Sequence, residues 1–446
     1  MTLIDNPTSA LRIKSDLCID GYNLSLPKGT GIATYGRNLL LNARIMGLGT
    51  TVLAGPLTRG HQGDVADESA IAGGQTSRRH WGKGELFTRT LLSRFGQDAY
   101  PVQPTGQVIW ENHVRPEVDG YWMSPSLYRL AGRAFSHYGT TTPVRFRQTG
   151  DRPPPSVMHW TATLPIHAVG VPNIYTIHDL IPLKLPHLTT DDSARYMELC
   201  RMIARRADHI AVVSENTRRD VIELLGVDED RVTNTYQAVD LPDFVKTRPL
   251  AETMADLEGV FGLTWKSYFL HFGAIEPKKN LGRIVEAYLA SGAVSPLVIV
   301  GSAAWMSEGE TALLDNIRQN RGPEADRVRQ YEYLPFPMLM SLIKGAKAAL
   351  FPSLYEGFGL PVLESMALGT AVLTSTAGSL PEISAGAALL VDPYDTPAMA
   401  KAIRMLDRDD DLCSDLAARG LIQSATFTPA AYRARLATLY AHVGLR

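Results

Sequence analysis

The sequence predicts an α/β protein made of two domains of similar construction with a cleft between them. Its 446 residues are enough for two or three domains at roughly 150 residues each, every one with its own core. Short apolar runs alternate with helical patterns along most of the chain, as parallel β-α-β units require. The composition, 45% hydrophobic and 20% charged, is that of an ordinary globular protein rather than a disordered, collagenous or membrane-spanning one.

Taken in order, residues 17–19 read as a strand, followed by the loop Gly29-Thr30-Gly31. A helix comes next, because Ile32, Tyr35, Leu39, Leu40 and Ala43 share one face. Residues 174–177 and 210–213 read as further strands, with Ser214 placed to cap a helix that ends at Leu225-Gly226. Between about 57 and 155 the pattern weakens, and aromatics are scattered among arginines; this stretch reads as an elaboration on the core. The register changes near 240–264, an interdomain connection. Beyond it, 268–272, 297–300, 348–351 and 371–374 read as strands. Asn280 stands where it can cap a helix carrying Leu281, Ile284, Val285, Tyr288 and Leu289. The expected domains are 1–245, elaborated at 57–155, and 262–426, with 427–446 forming a last helix.

Lys plus Arg total 44 against 46 Asp plus Glu, a net charge of −2, so no global basic field argues for nucleic acid. Cys18, Cys200 and Cys413 lie far apart and read as buried thiols of a reducing compartment. No long uncharged apolar run is present, and residues 1–15 lack the apolar core of a signal peptide. The expectation is a cytoplasmic protein, compatible with peripheral contact at the inner face of a membrane.

Chemistry concentrates in the second half. An apolar strand ending at Phe351 runs into Pro352-Ser353-Leu354-Tyr355-Glu356-Gly357-Phe358-Gly359-Leu360, and a helix opens near Pro361. Backbone N–H groups and the positive helix end then meet at a sheet edge, where anions bind. Glu356 and Glu364, eight residues apart, supply two fixed acceptors suited to a ligand rich in hydroxyls. Lys278 and Lys279 also follow a strand and open a helix, placed to neutralise a diphosphate. His178 ends a strand in Thr176-Ile177-His178-Asp179, and Asp179 either orients its imidazole or caps the next turn. Gly29 and Gly31 permit close backbone approach to a phosphate or acceptor; Thr34 breaks the GxGxxG fingerprint of a dinucleotide site. The acidic strings 228–230 and 409–411 read as solvated turns, so no metal site is expected.

The run from Glu356 to Glu364 resembles the E-x7-E motif of retaining GT-B glycosyltransferases of family 4, and Gly273 to Asn280 resembles their G-x-x-x-P-x-K-N segment. Many members carry Arg after that glycine, where this chain has Ala274. The resemblance implies two Rossmann-like α/β domains facing each other across a cleft, with the C-terminal helix crossing back to the N-terminal domain. It implies catalytic roles for His178, Glu356 and Lys279, with Glu356 on the sugar and Glu364 on the nucleotide ribose. Lys278 and the N–H groups of Phe358, Gly359 and Leu360 would hold the donor, and Gly29 and Gly31 would line the phosphate and acceptor side. The implied reaction is metal-independent, retaining hexose transfer from a nucleotide sugar, with no cofactor. Similarity to bacterial mannosyltransferases of polysaccharide assembly suggests GDP-mannose as donor and a glycan or lipid-linked glycan as acceptor. The alternatives are a UDP-sugar donor, a GT-B-type sugar-nucleotide epimerase, and a noncatalytic nucleotide-sugar binder.

Overall fold

Strands form where the apolar runs predict them, within a residue or so at each end. The computed structural model describes residues 16–445 apart from 26–30, 59, 62, 74–80, 109, 111–116, 149–151, 191, 321 and 323–325. One sheet contains β1 (Asp16–Asp20), β2 (Gly49–Ala54), β3 (Gln97–Val102), β4 (Gly120–Met123), β5 (Thr142–Phe146), β6 (Val157–Trp160), β7 (Ile166–Ala168), β8 (Asn173–Ile177), β9 (His209–Val212) and β10 (Val232–Asn234). Their order is β10-β9-β8-β6-β1-β2-β4-β3-β5-β7, and β3 pairs antiparallel with β4. The second sheet contains β11 (Phe269–Phe272), β12 (Leu297–Val300), β13 (Val328–Tyr331), β14 (Ala348–Phe351), β15 (Ala371–Ser375) and β16 (Leu389–Val391). Its order is β13-β12-β11-β14-β15-β16, and every pair is parallel. Helices cover such sheets on both faces, which is why β12 reads as the unbroken apolar run Leu-Val-Ile-Val.

The described residues up to Thr176, together with Glu198–Ala211 and Leu436 onward, form one compact unit; Ile177–Met197 and Val212–Arg435 form the other. In the first, Leu17, Cys18 and Ile19 of β1 are fully buried. The 57–155 stretch supplies β3, β4 and β5 to the sheet and adds helices Asp64–Ala72, Lys83–Ser93 and Leu127–Tyr138. The last helix, Pro429–Ala441, begins in the second unit and ends in the first, so the crossing-back helix is present. There the Tyr440 hydroxyl meets His159 Nδ1 at 3.1 Å. His159 Nε2 and the Tyr35 hydroxyl share the Thr176 hydroxyl at 2.8 and 2.9 Å.

In the second unit, helix Leu281–Ser291 lays Ile284, Val285 and Tyr288 on a core that includes Phe269, Ile299, Leu350 and Leu373. The three cysteines are buried and form no disulfide. Among the described residues no helix is long and apolar enough to cross a membrane.

Candidate active site

The turn between β14 and helix Leu360–Ala367 is fixed by its carbonyls. The Thr374 hydroxyl donates to the Phe351 carbonyl at 2.9 Å, and Ser375 donates to Ser353 at 2.7 Å. The Ser379 hydroxyl donates to Glu356 and Phe358 at 3.0 and 2.7 Å. Three buried hydroxyls, two at the end of β15 and one after it, therefore take up acceptors of the turn. Its donors are left over: among the described residues no hydrogen bond engages the N–H of Phe358, Gly359 or Leu360. With the helix behind them, these form an anion site of the kind that helix N-termini make. Gly359 holds φ +108°, a conformation open to glycine at little cost. At Gly357 a Cβ would collide with the backbone carbonyl of His178, so only glycine permits that approach.

The lysine segment is pinned to the same strand end. Asn280, fully buried at φ +64°, does not cap its helix with its side chain as the sequence suggests. Its amide instead donates to the carbonyls of Pro352 and Pro393 at 2.9 and 2.8 Å. The Leu354 N–H donates to the Lys278 carbonyl at 2.8 Å. These ties bring Lys279 Nζ to 2.7 Å from Glu356 Oε1, with both side chains largely buried. Burial pushes the Glu356 carboxyl up, but Lys279, then Lys278, outweigh it and hold the group below its usual value. For Lys278 burial opposes the charge, yet Glu356, Asp179 and Glu276 around it win and raise its pKa. Both groups are ionised.

Glu364, on the helix beyond, behaves oppositely. Burial raises its carboxyl to about 7, and Lys279 offsets only part of that. The lysine pair thus holds Glu356 down, whereas burial dominates at Glu364. His271 of β11 is a further titratable group in this field. Fully buried, it is lowered to about 4 by desolvation, and its Nδ1 bonds to the Leu350 carbonyl at 2.8 Å. It is neutral.

His178 is half-buried and groups with the second unit. Its carbonyl accepts from the Thr217 hydroxyl at 3.2 Å, and the same hydroxyl lies 3.4 Å from the Gly357 carbonyl. Ser214 caps helix Glu215–Leu225 as expected, accepting from the Thr217 N–H. Asp179 caps the following turn, accepting from the Ile181 N–H at 3.1 Å. The segments are further tied through Asp220, which accepts from the Tyr355 hydroxyl and from Lys184 Nζ, the latter at 2.5 Å. Glu382 accepts from the Glu215 and Asn216 N–H groups at 2.7 and 3.0 Å.

Thus Glu356, Lys278, Lys279, Glu364, His178 and the Phe358–Leu360 backbone all belong to the second unit, and the first three form one ion cluster. The Phe358 ring packs with Tyr236 and Phe427, so the residue offers the site its backbone rather than its ring. Gly31 is exposed and opens helix Gly31–Ile45 of the first unit, and Gly29 lies outside the described residues. Sequence reasoning missed Asp220, Glu382, Ser379 and His271; their partners lie far along the chain, and no local pattern marks them. Among the described residues no three or more His, Cys, Asp or Glu side chains are grouped to hold a metal ion.

Two family models cover this architecture: "Glycosyltransferase Family 4" over residues 116–242 and "Glycosyl transferases group 1" over 263–421. The chain belongs to the family 4 glycosyltransferases. The chain is 32% identical to the O-antigen chain mannosyltransferase B of Escherichia coli over 57% of its own length and 66% of the relative's. It is 28% identical to the serotype-specific mannosyltransferase WbdA of Escherichia coli over 60% of its length and 33% of that protein's. The matches thus span less than two thirds of either relative. Among solved structures, a sucrose-phosphate synthase of Thermosynechococcus elongatus superposes with a TM-score of 0.65 at 17% identity, covering 96% of this chain and 99% of the other. At that identity the likeness speaks for the fold, which is GT-B.

Proposed function

We propose that this chain is a retaining hexosyltransferase that moves mannose from GDP-mannose to a hydroxyl of a glycan or lipid-linked glycan during surface polysaccharide synthesis. The observation that carries the reading is the Lys279–Glu356 ion pair beside a turn in which, among the described residues, the N–H groups of Phe358, Gly359 and Leu360 have no partner. Breaking the anomeric C–O bond builds negative charge on the departing diphosphate, and fixed cations with oriented N–H groups stabilise charge that develops in a transition state. The diphosphate draws Lys279 away from Glu356, and the freed carboxylate accepts from sugar hydroxyls. Glu364 accepts from the ribose, and His178 orients the sugar. The acceptor oxygen bonds to the anomeric carbon on the face the diphosphate leaves, and its proton passes to the departing phosphate oxygen. No metal is required for these steps, and neither glutamate acts as nucleophile. The mannosyltransferase names of the relatives support the choice of mannose.

The test supplies the full chain with GDP-mannose, UDP-glucose and other nucleotide sugars, with and without a mannan acceptor, and follows nucleoside diphosphate release and product anomer. The expected result is acceptor-dependent release from GDP-mannose with the α configuration kept, falling about a hundredfold or more in Glu356→Ala and Lys279→Ala. A β-linked product, turnover without acceptor, or unchanged rates in both variants overturns it.

A further inference from the structure

Helix Glu215–Leu225 meets the turn on both sides of Glu356. On one side the Tyr355 hydroxyl donates to Asp220 and accepts from the Asn216 amide, the latter at 2.6 Å. On the other, the Thr217 hydroxyl faces the Gly357 carbonyl, and it faces the His178 carbonyl as well. Asn216 and Thr217 both neighbour Asp220 across one turn of the helix, so a single face reaches both chain neighbours of Glu356. The N-terminus of that helix is itself held, because Glu382 accepts from the N–H groups of Glu215 and Asn216.

Thr217 has one hydroxyl proton, and the direction of that proton is set by its neighbours. Ser214 accepts from the Thr217 N–H at 3.0 Å and donates its own proton to the Thr217 hydroxyl oxygen at 2.9 Å. The Thr217 proton is left for the two carbonyls, His178 at 3.2 Å and Gly357 at 3.4 Å. Both distances exceed the roughly 2.5–3.0 Å of a hydroxyl committed to one acceptor, as a proton shared between two requires. Ser214 and Thr217 are fully buried, so bulk water does not take over this task. Without the shared proton the two carbonyls have reason to part. The chain at Gly357 passes so close to the His178 carbonyl that a Cβ would collide with it, and the negative ends of buried carbonyls repel.

We propose that Thr217 is a positioning residue for sugar transfer: by sharing its proton between the His178 and Gly357 carbonyls it fixes the end of β8 against the Glu356 turn, so that the His178 imidazole and the Glu356 carboxylate meet the same sugar. Being fully buried, Thr217 acts through these residues rather than on the substrate. The inference rests on the transferase reading, in which His178 orients the sugar and Glu356 binds its hydroxyls. It leaves the grip on the diphosphate to the lysine pair.

The test compares, in the full chain, Thr217→Val, which replaces the hydroxyl by a methyl of similar size, with Thr217→Ser, which keeps it. The measurements are kcat and KM for GDP-mannose with a mannan acceptor, GDP affinity by calorimetry, and the NMR resonance of the His178 ring in protein labelled at histidine Cε1, assigned through H178Q. In T217V kcat is expected to fall about tenfold while KM and GDP affinity stay within about twofold and the His178 resonance shifts; T217S should stay near wild type in all four. Should T217V fail to fold, T217A, which sets no methyl against the carbonyls, takes its place with the same expected outcome. A wild-type kcat in T217V, an equal loss in T217S, or a loss of GDP affinity parallel to that in kcat overturns the inference. A wild type that transfers from no nucleotide sugar counts against the transferase reading. The His178 resonance then decides the positioning role by itself: a shift in T217V that T217S restores supports it, and an unmoved resonance overturns it.

Discussion

The turn around Glu356 and the helix Lys83–Ser93 break the same rule in opposite directions. At the turn, charged side chains are inside; on the helix, apolar ones are outside. Inside, the turn's polar groups find partners along the chain: Lys279 with Glu356, the carbonyls of Phe351, Ser353, Glu356 and Phe358 with Thr374, Ser375 and Ser379, and those of Pro352 and Pro393 with Asn280. Among the described residues the N–H groups of Phe358, Gly359 and Leu360 have no partner, and the proposed reading puts the donor's diphosphate there. Outside, Phe87 and Phe95 are exposed. A buried polar cluster with a few donors left over points to a small anionic ligand, whereas an exposed apolar strip offers such a ligand nothing to hold.

The inner arrangement breaks most sharply at Asn280. In Asn280→Ala two buried carbonyls lose their donor and a non-glycine residue lacking a polar side chain must hold φ +64°. We expect a loss of about 3 kcal/mol in unfolding free energy, measured by urea titration. Asn280→Gly, free of the backbone strain, should recover about 1 kcal/mol of it. Equal stability of the alanine variant and wild type would mean that the turn is not held this way.

A smaller effect separates the two carboxylates. The folded pKa of Glu364 stands above its ordinary value, so the stability linked to it is full below about 4.5 and is lost as pH rises through about 7. Glu364→Gln removes that loss. The ligand-free variant should gain about 1 kcal/mol over wild type at pH 8 and nothing at pH 4, read from melting curves across that range. A gain independent of pH would assign the effect to packing instead.

The fold and the centre of the site were legible because their signals are local. Apolar runs gave the strands, and Glu356, Gly357, Gly359 and Glu364 fall within nine residues of one strand–turn–helix junction. Asn280 was read by position as a cap, but a helix boundary cannot reveal that the amide reaches carbonyls 72 and 113 residues away. The Asp220–Tyr355 bond and the Glu382 contacts are long-range in the same way. The stretch 57–155 resisted reading for another reason: periodicity assigns apolar residues to the inside, and helix Lys83–Ser93 has them facing out.

The central claim is that the lysine pair and the open N–H groups grip a diphosphate. It is tested most directly by calorimetric titration of GDP and of guanosine into the wild type and into Lys278→Ala/Lys279→Ala. The account predicts that GDP binding weakens by about a hundredfold in the double variant, while guanosine, which has no phosphate, binds both proteins alike. Undiminished GDP affinity in a folded double variant would contradict it.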